Sequence, residues 1–294
     1  MARESGFTLI ELVVVITITG IIAGIVAIFI GGPIRGMMDA TRRAQLSDTA
    51  DTALRRMGRD LRMALPNSVR VTQVGSAYYL EYLEVTSGGR YRSQSSGAPT
   101  SPACPADDPA ITDNDVLETG FSDTCFKTLG DIPDFGKVVA GNYVVVYNLG
   151  QGITNSDAYQ SGAATGGDKS RITAVSASGS EDRIVFESND FELASPGARF
   201  QIVSGPVTYR CDPASGTLTR FWGYPIQQNQ PVSTSAPPLS AASSALLATN
   251  VSGCSFAYSP GVTERSGLLS MFLQLSREGE NVNLYHEVHV DNVP

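Results

Sequence analysis

Residues 6–30 read GFTLIELVVVITITGIIAGIVAIFI, and the rest of the chain is organised around them. From Leu12 to Ile30 there is no charged side chain. At about 1.5 Å of rise per residue such a run is about long enough to cross the hydrocarbon core of a bilayer. The exception is Glu11, just before it. A carboxylate deep in a membrane costs about 2.5–3.5 kcal/mol on insertion scales, and less near the interface. Glu11 therefore either marks the edge of a plain anchor or has work to do inside the membrane.

The residues around Glu11 bear on that choice. A short leader, MARESG, contains a basic residue and ends in Gly6, and Phe7-Thr8-Leu9-Ile10-Glu11 and the apolar run follow. This arrangement resembles the class III signal and amino-terminal helix of type IV pilins and type II secretion pseudopilins. The resemblance implies that prepilin peptidase cuts after Gly6 and methylates the new amino terminus at Phe7. Glu11 then becomes the fifth residue of the mature chain, where it meets the terminal amine of a neighbouring subunit. Two opposite charges in a low dielectric are each costly alone and tolerable as a pair. A secretory signal loses its apolar segment, whereas cutting after Gly6 leaves the whole anchor in place.

Of the 294 residues, more than 220 remain after the long helix, enough for one large domain or two small ones, and one is expected. A formal net charge of −8 argues against a general nucleic-acid-binding surface, which needs a basic face. Cys104, Cys125, Cys211 and Cys254 all lie beyond the apolar segment, and an even number on the outer side of a membrane reads as two disulfides. Of three pairings we favour Cys104–Cys125, which brackets an Asp-rich insertion, and Cys211–Cys254, which brackets two strand-like regions. No CxxC or adjacent His suggests zinc.

The expected organisation is a leader at 1–6, a membrane or filament-core helix at 7–33, an amphipathic half at 34–65 and a β-rich globular domain at 66–294. Gly20, Gly24, Gly31, Gly32 and Pro33 interrupt the apolar run and its exit and predict bending or local melting, or equally close helix packing in the membrane through small residues. Leu46, Ala50, Leu54, Met57, Leu61 and Leu65 recur every three or four residues, a stripe suited to packing on a globular body. Arg55, Arg56, Arg59 and Arg62 occupy the remaining surface with Asp48, Asp51 and Asp60, read as solvated or facing another subunit, or else as binding an anionic ligand. Pro66 is expected to close the helix. Strands are predicted at 69–74, 78–85, 138–147, 183–186, 200–211, 218–224, 268–275 and 282–290. Three long polar inserts, 87–137, 148–170 and 227–250, separate them, and the third, rich in Ser, Ala, Pro and Gln, is expected to be mobile. A long helix followed by an antiparallel sheet makes the fold α+β, the type IV pilin architecture.

Catalytic chemistry finds no support. Both histidines lie in the last predicted strand, where alternation puts His286 with Val282, Leu284, Val288 and Val290, and His289 with Tyr285 and Glu287. They cannot chelate together; His286 reads as a hydrogen-bonded core residue and His289 as a surface one. There is no GxSxG context, and disulfide-bonded cysteines are not nucleophiles. Asp107, Asp108, Asp113, Asp115 and Glu118 form the densest acidic cluster, without EF-hand spacing, and read as a solvated loop or a calcium loop. Asn250-Val251-Ser252 matches a glycosylation sequon, an accident in a chain with a bacterial prepilin leader. No enzyme activity, no cofactor and no metal site are expected.

Two further stretches narrow the resemblance. RRMGRDLRMALPNSVRV, residues 55–71, resembles the helix end of larger minor pilins of the PilW kind and of J-type pseudopilins. The closing region from Cys254 is similar to the MshO-type minor pilin of the mannose-sensitive haemagglutinin pilus. The resemblance implies a low-abundance subunit that helps to prime filament assembly near the tip. It would wait in the inner membrane with its globular domain in the periplasm and later join an extracellular pilus. Its partners would be prepilin peptidase, the other minor pilins, the major pilin and the inner-membrane assembly platform. Because Glu11 is present, the chain is expected below the outermost subunit. Two alternatives are a pilus-tip adhesin, using inserts that carry Tyr91, Phe121, Phe126 and Tyr159, and a minor pseudopilin of type II secretion.

Overall fold

One helix, α1 (Leu9–Leu61), carries both the apolar run and the amphipathic stripe. Its 53 residues extend about 80 Å at about 1.5 Å each. The computed structural model describes residues 6, 8–94, 104, 115–160, 167–179, 181–260 and 266–294. Helical structure continues through residues 31–33, so the expected melting there is not seen. An interior proline removes one hydrogen bond and crowds the preceding turn, at about 3 kcal/mol, a cost that a long helix already nucleated on both sides absorbs.

The helix stops at Leu61, earlier than Pro66 suggested, with Arg62 as its cap. The cause is tertiary. Val85 N donates to Met63 O at 2.8 Å and Leu65 N to Leu83 O at 2.8 Å, so residues 63–65 bond to a strand instead of extending the helix.

Among the described residues twelve strands follow. They are β1 (Arg70–Val74), β2 (Ala77–Arg90), β3 (Ser122–Lys127), β4 (Tyr143–Val145), β5 (Lys169–Ser178), β6 (Glu181–Asp190), β7 (Arg199–Asp212), β8 (Thr217–Trp222), β9 (Ser243–Thr249), β10 (Val251–Ser259), β11 (Gly267–Arg277) and β12 (Glu280–Val290). All the pairings are antiparallel. Strands β10-β11-β12 make one sheet, and the other nine run β1-β2-β7-β4-β5-β6-β3, with β8 on β7 and β9 on β8. The hub is β7. One edge pairs with β2 along its length; the other pairs with β4 through residues 201–203 and with β8 through 207–212. The changeover falls at Gly205, whose φ of +145° suits glycine.

This fork creates two main cores. The first gathers the inner face of α1, the β2, β7 and β8 interior and the β10–β12 sheet: Leu46, Ala50, Leu54, Met57 and Leu61 are at most 5% exposed. The second lies under β3–β6 around Phe126, Phe186, Phe191 and Phe200, whose rings meet edge-on or tilted at 5.2–5.8 Å. The Cys211–Cys254 disulfide ties β7 to β10 and so joins the two sheets.

The sheet departs from the sequence reading in two ways. Only Tyr143–Val145 of the expected strand 138–147 is extended, because a 3-10 turn (Phe135–Lys137) precedes it and Asn142 Oδ1 accepts from Val139 N at 2.9 Å to make a turn there. The inserts also contain structure: β3 lies within 87–137, and β9 within 227–250. The third insert is held in place rather than loose. Leu239 is 1% exposed, Gln230 bonds Thr72 and Tyr79, and Arg70 reaches the carbonyls of Gln227 and Gln228. Arg70 also pairs with buried Glu81 at 2.5 Å and lies 3.6 Å over the Tyr159 ring, so one guanidinium pins two inserts to the first hairpin.

Helix and β12 meet at Gly58. A side chain there would start 3.0 Å from His286 Nε2 and 3.1 Å from Val288 Cγ2. Overpacking of this kind costs about 1–3 kcal/mol. Gly58→Val is expected to destabilise the protein by about 2 kcal/mol, read as a lower thermal midpoint of the full chain in detergent; an unchanged midpoint would mean that β12 gives way freely.

Candidate functional site: the amino-terminal helix

The helix begins with a reciprocal cap. Thr8 is extended (φ −82°, ψ 151°) and its Oγ1 accepts from Glu11 N at 3.4 Å. Glu11 Oε2 in turn accepts from Thr8 N at 3.2 Å and from Thr8 Oγ1 at 3.1 Å. This capping box satisfies backbone donors that every helix start leaves open and puts a negative charge at the positive end of the helix dipole. Thr-x-x-Glu is readable in the sequence, and the cap is a role for Glu11 that neither the anchor-edge nor the neighbour-pairing reading contains. The structure gives it a role within its own subunit, and Oε1 has no partner among the described residues. Gly6, ahead of the helix, is exposed, and Phe7 lies outside the described residues.

From Leu9 to Phe29 the helix has a mean hydropathy of 2.9 and buries none of this surface in the rest of the chain. Ile28 and Phe29 are 81% and 77% exposed. The hydroxyls in this segment turn inward: Thr17 Oγ1 donates to Val13 O at 2.9 Å and Thr19 Oγ1 to Val15 O at 2.6 Å. No hydroxyl hydrogen is left for a lipid to satisfy, which is what a hydrocarbon environment demands. Length, composition and exposure fit a membrane anchor.

The other residues singled out in the sequence lie elsewhere. Cys104 and Cys125 are bonded, with Cα atoms 5.6 Å apart, and Cys211 and Cys254 are bonded with Cα atoms 6.5 Å apart. Of the acidic cluster, Asp107, Asp108 and Asp113 lie outside the described residues. Asp115 is buried and pairs with buried Lys127 at 3.3 Å while accepting from Cys104 N at 3.0 Å. Among the described residues no three His, Cys, Asp or Glu side chains gather to hold a metal ion.

His286 is half-buried against α1 and His289 is exposed, the alternation expected of β12. His286 packs on Gly58 and makes no hydrogen bond to a described residue, so the expected polar partner is absent from that set. Tyr91, Phe126 and Tyr159 are at most 2% exposed and belong to the cores; Phe121, at 63%, is the exposed member of the four aromatics proposed for adhesion. An apolar core claims aromatic side chains wherever the chain can bury them, insert or not.

Residues 1–27 match the family described as Prokaryotic N-terminal methylation motif. No curated protein and no solved structure matches the chain. The matched segment contains Gly6, Phe7, Thr8 and Glu11 and most of the anchor. This chain thus carries a prepilin-type methylation signal and apolar helix at its amino terminus, of the kind that type IV pilin-like and pseudopilin-like proteins have, on an antiparallel β domain.

Proposed function

We propose that this protein is a minor pilin of a type IV pilus of the mannose-sensitive haemagglutinin kind, and that it helps to start filament assembly near the tip. The observation that supports the reading best is the methylation motif with Glu11 at the head of an unburied apolar helix that runs unbroken into a large globular domain. Before assembly the anchor sits in the inner membrane with the globular domain in the periplasm. Cleavage after Gly6 exposes the amine of Phe7, and the anchor then moves from lipid to filament without leaving an apolar environment. In the filament the carboxylate of Glu11 meets the amine of an adjoining subunit.

The burial of three of the four aromatics removes the main support for an adhesin. A pseudopilin carries the same amino-terminal motif and stays a second reading. Deletion of the gene separates them. A minor pilin predicts loss of surface filaments by electron microscopy with protein export intact. Lost export with normal filaments would identify a pseudopilin, and filaments without surface attachment would return the role to adhesion.

A further inference from the structure

The sheet β10-β11-β12 has two unlike faces. Met271, Leu273 and Leu275 of β11 and Val288 of β12 belong to the core that α1 closes. Side chains alternate along a strand, so the residues between these turn the other way. Along β12 those are Asn281, Asn283, Tyr285, Glu287 and His289, all exposed. Because α1 packs on the inner side, this outer face stays open when the helix sits in a membrane or among other helices.

The register assembles the outer face side chain by side chain. Phe272 stands directly opposite Tyr285, with Gln274 opposite Asn283 on one side of the pair and Ser270 opposite Glu287 on the other. Next to them β10 presents only small residues: Gly253, Ser255 and Ala257 face Gln274, Phe272 and Ser270. Two aromatic rings therefore rise beside a low shelf. A cross-strand aromatic pair contributes about 0.2–1 kcal/mol to a sheet, whereas a ring left in water forgoes most of the gain from its burial. Tyr285 is 63% exposed and yet held in place. Its hydroxyl donates to Glu287 Oε1 at 3.0 Å, and Ser270 Oγ donates to the same oxygen at 3.3 Å. A ring fixed in advance loses little freedom when something stacks on it.

Charge and shape narrow the partner. Across the outward positions of 253–259, 268–276 and 281–289 there is no Lys or Arg, and Glu287 is the one carboxylate. A nucleic acid or an anionic membrane surface finds no cation to pair with here. The two longer strands have 11 residues each, so at about 3.4 Å per residue and about 4.8 Å between strands the face is a strip about 35 Å long and about 14 Å wide. A strip suits an extended chain. An uncharged polymer of pyranose sugars matches all three features: the C–H face of its ring packs on an aromatic ring, its hydroxyls meet amides that both donate and accept, and it brings no charge.

We propose that the outer face of the β10–β12 sheet binds a neutral polysaccharide, with one sugar ring stacked on Tyr285 and the amides of Asn283 and Gln274 on its hydroxyls. The site lies outside all three polar inserts and does not depend on whether the chain is a minor pilin or a pseudopilin.

The test uses the full chain in a zwitterionic, sugar-free detergent and titrates cellohexaose, maltohexaose, mannohexaose and chitohexaose into the millimolar range by calorimetry. We expect at least one of the four to bind, and to bind equally well in 0.1 M and 1 M salt, because no ion pair contributes. Tyr285→Ala should weaken that binding at least tenfold and Asn283→Ala should weaken it less, while Tyr285→Phe, which keeps the ring, should retain most of it. Both positions are exposed, and an unchanged thermal midpoint confirms that each variant folds. Failure of all four sugars to bind would overturn the proposal. So would parental affinity in Tyr285→Ala, which would put the sugar on another surface. Self-association of the chain that Tyr285→Ala abolishes, without sugar binding, would assign the face to a second copy and overturn the proposal as well.

Discussion

Glu11→Gln is expected to leave the membrane form of the protein unchanged and to remove it from filaments. The capping box makes this variant informative. Glutamine can play the same part as glutamate at the third helical position, accepting from Thr8 N through its amide oxygen, so the helix start is kept. What disappears is the negative charge. If Glu11 serves only as a cap, Glu11→Gln should assemble normally. If the carboxylate must meet the terminal amine of another subunit in a low dielectric, the variant leaves that amine as an unpaired buried charge, which costs about 3–5 kcal/mol. At about 1.4 kcal/mol per tenfold that is a loss of incorporation of a hundredfold or more.

Glu11→Val adds a second arm. It should insert into the membrane at least as well, since a charge costs about 2.5–3.5 kcal/mol at mid-membrane and less near the interface. It loses the cap as well as the charge and should be no better than Glu11→Gln in filaments. The measurement is the ratio of the protein in sheared filaments to that in membranes. Wild-type ratios for Glu11→Gln would sink the pairing idea and leave the cap as the whole role of Glu11.

The amino-terminal half was legible because its signals are local and redundant. An uncharged run fixes the anchor, and a stripe at helical spacing names the residues that α1 buries; Ala50, Leu54, Met57 and Leu61 need no knowledge of the sheet to be picked out. The alternation in β12 likewise sorted His286 from His289. Where a local signal had a strong rival, the reading failed. Gly-Gly-Pro at 31–33 predicts a break only if the flanking helix is weak. Pro66 marks where a helix cannot continue, whereas the true end is set by Met63 and Leu65 bonding to β2, a contact between residues about twenty apart.

The second lobe was the least legible part for the same reason. β3 is a six-residue strand whose sequence SDTCFK has little apolar alternation, and it is a strand because Cys125, Phe126 and Lys127 pair with β6. Lys127 is fully buried, which no propensity would suggest, and Asp115 accounts for it. β9, SSALLAT, sits in a stretch that reads as a polar linker and is ordered by β8 beside it. Such strands are products of tertiary pairing, and β propensity is mostly a measure of that context.

Asp168, which no motif marks, should give the largest pH effect in the globular domain. It lies just before β5 and is 3% exposed, and its Oδ2 is enclosed without a hydrogen-bond partner among the described residues, as is Asn189 Oδ1. Asn189 Nδ2 donates to Gly167 O at 3.0 Å, which sets its amide against the peptide just before Asp168. Burial, and then the like charge of Asp157, push the Asp168 carboxyl up to about 7, while the cation of Lys169 offsets only part of this. The folded protein therefore holds a proton on Asp168 that the unfolded chain releases near pH 4. Between about pH 4 and pH 7 the unfolded state binds fewer protons, so stability falls as pH rises, and the slope ends once the folded carboxyl has also ionised. The rise from near 4 to about 7, at about 1.36 kcal/mol per tenfold in the acidity constant, sets the size of the loss at no more than about 4 kcal/mol. Burial lowers Lys169, a change that acts with the opposite slope and on the alkaline side. Asp168→Asn fixes the neutral form in nearly the same shape and supplies amide hydrogens where the acceptors lack donors. The variant should lose the fall in stability between pH 5 and pH 7 and be more stable than the parent at pH 8, by about 2–4 kcal/mol. Denaturant unfolding of the full chain in detergent at pH 5, 6, 7 and 8 measures both. A variant that keeps the parental slope, or is the weaker of the two at pH 8, would show that Asp168 is ionised in the fold and satisfied by a partner other than a proton.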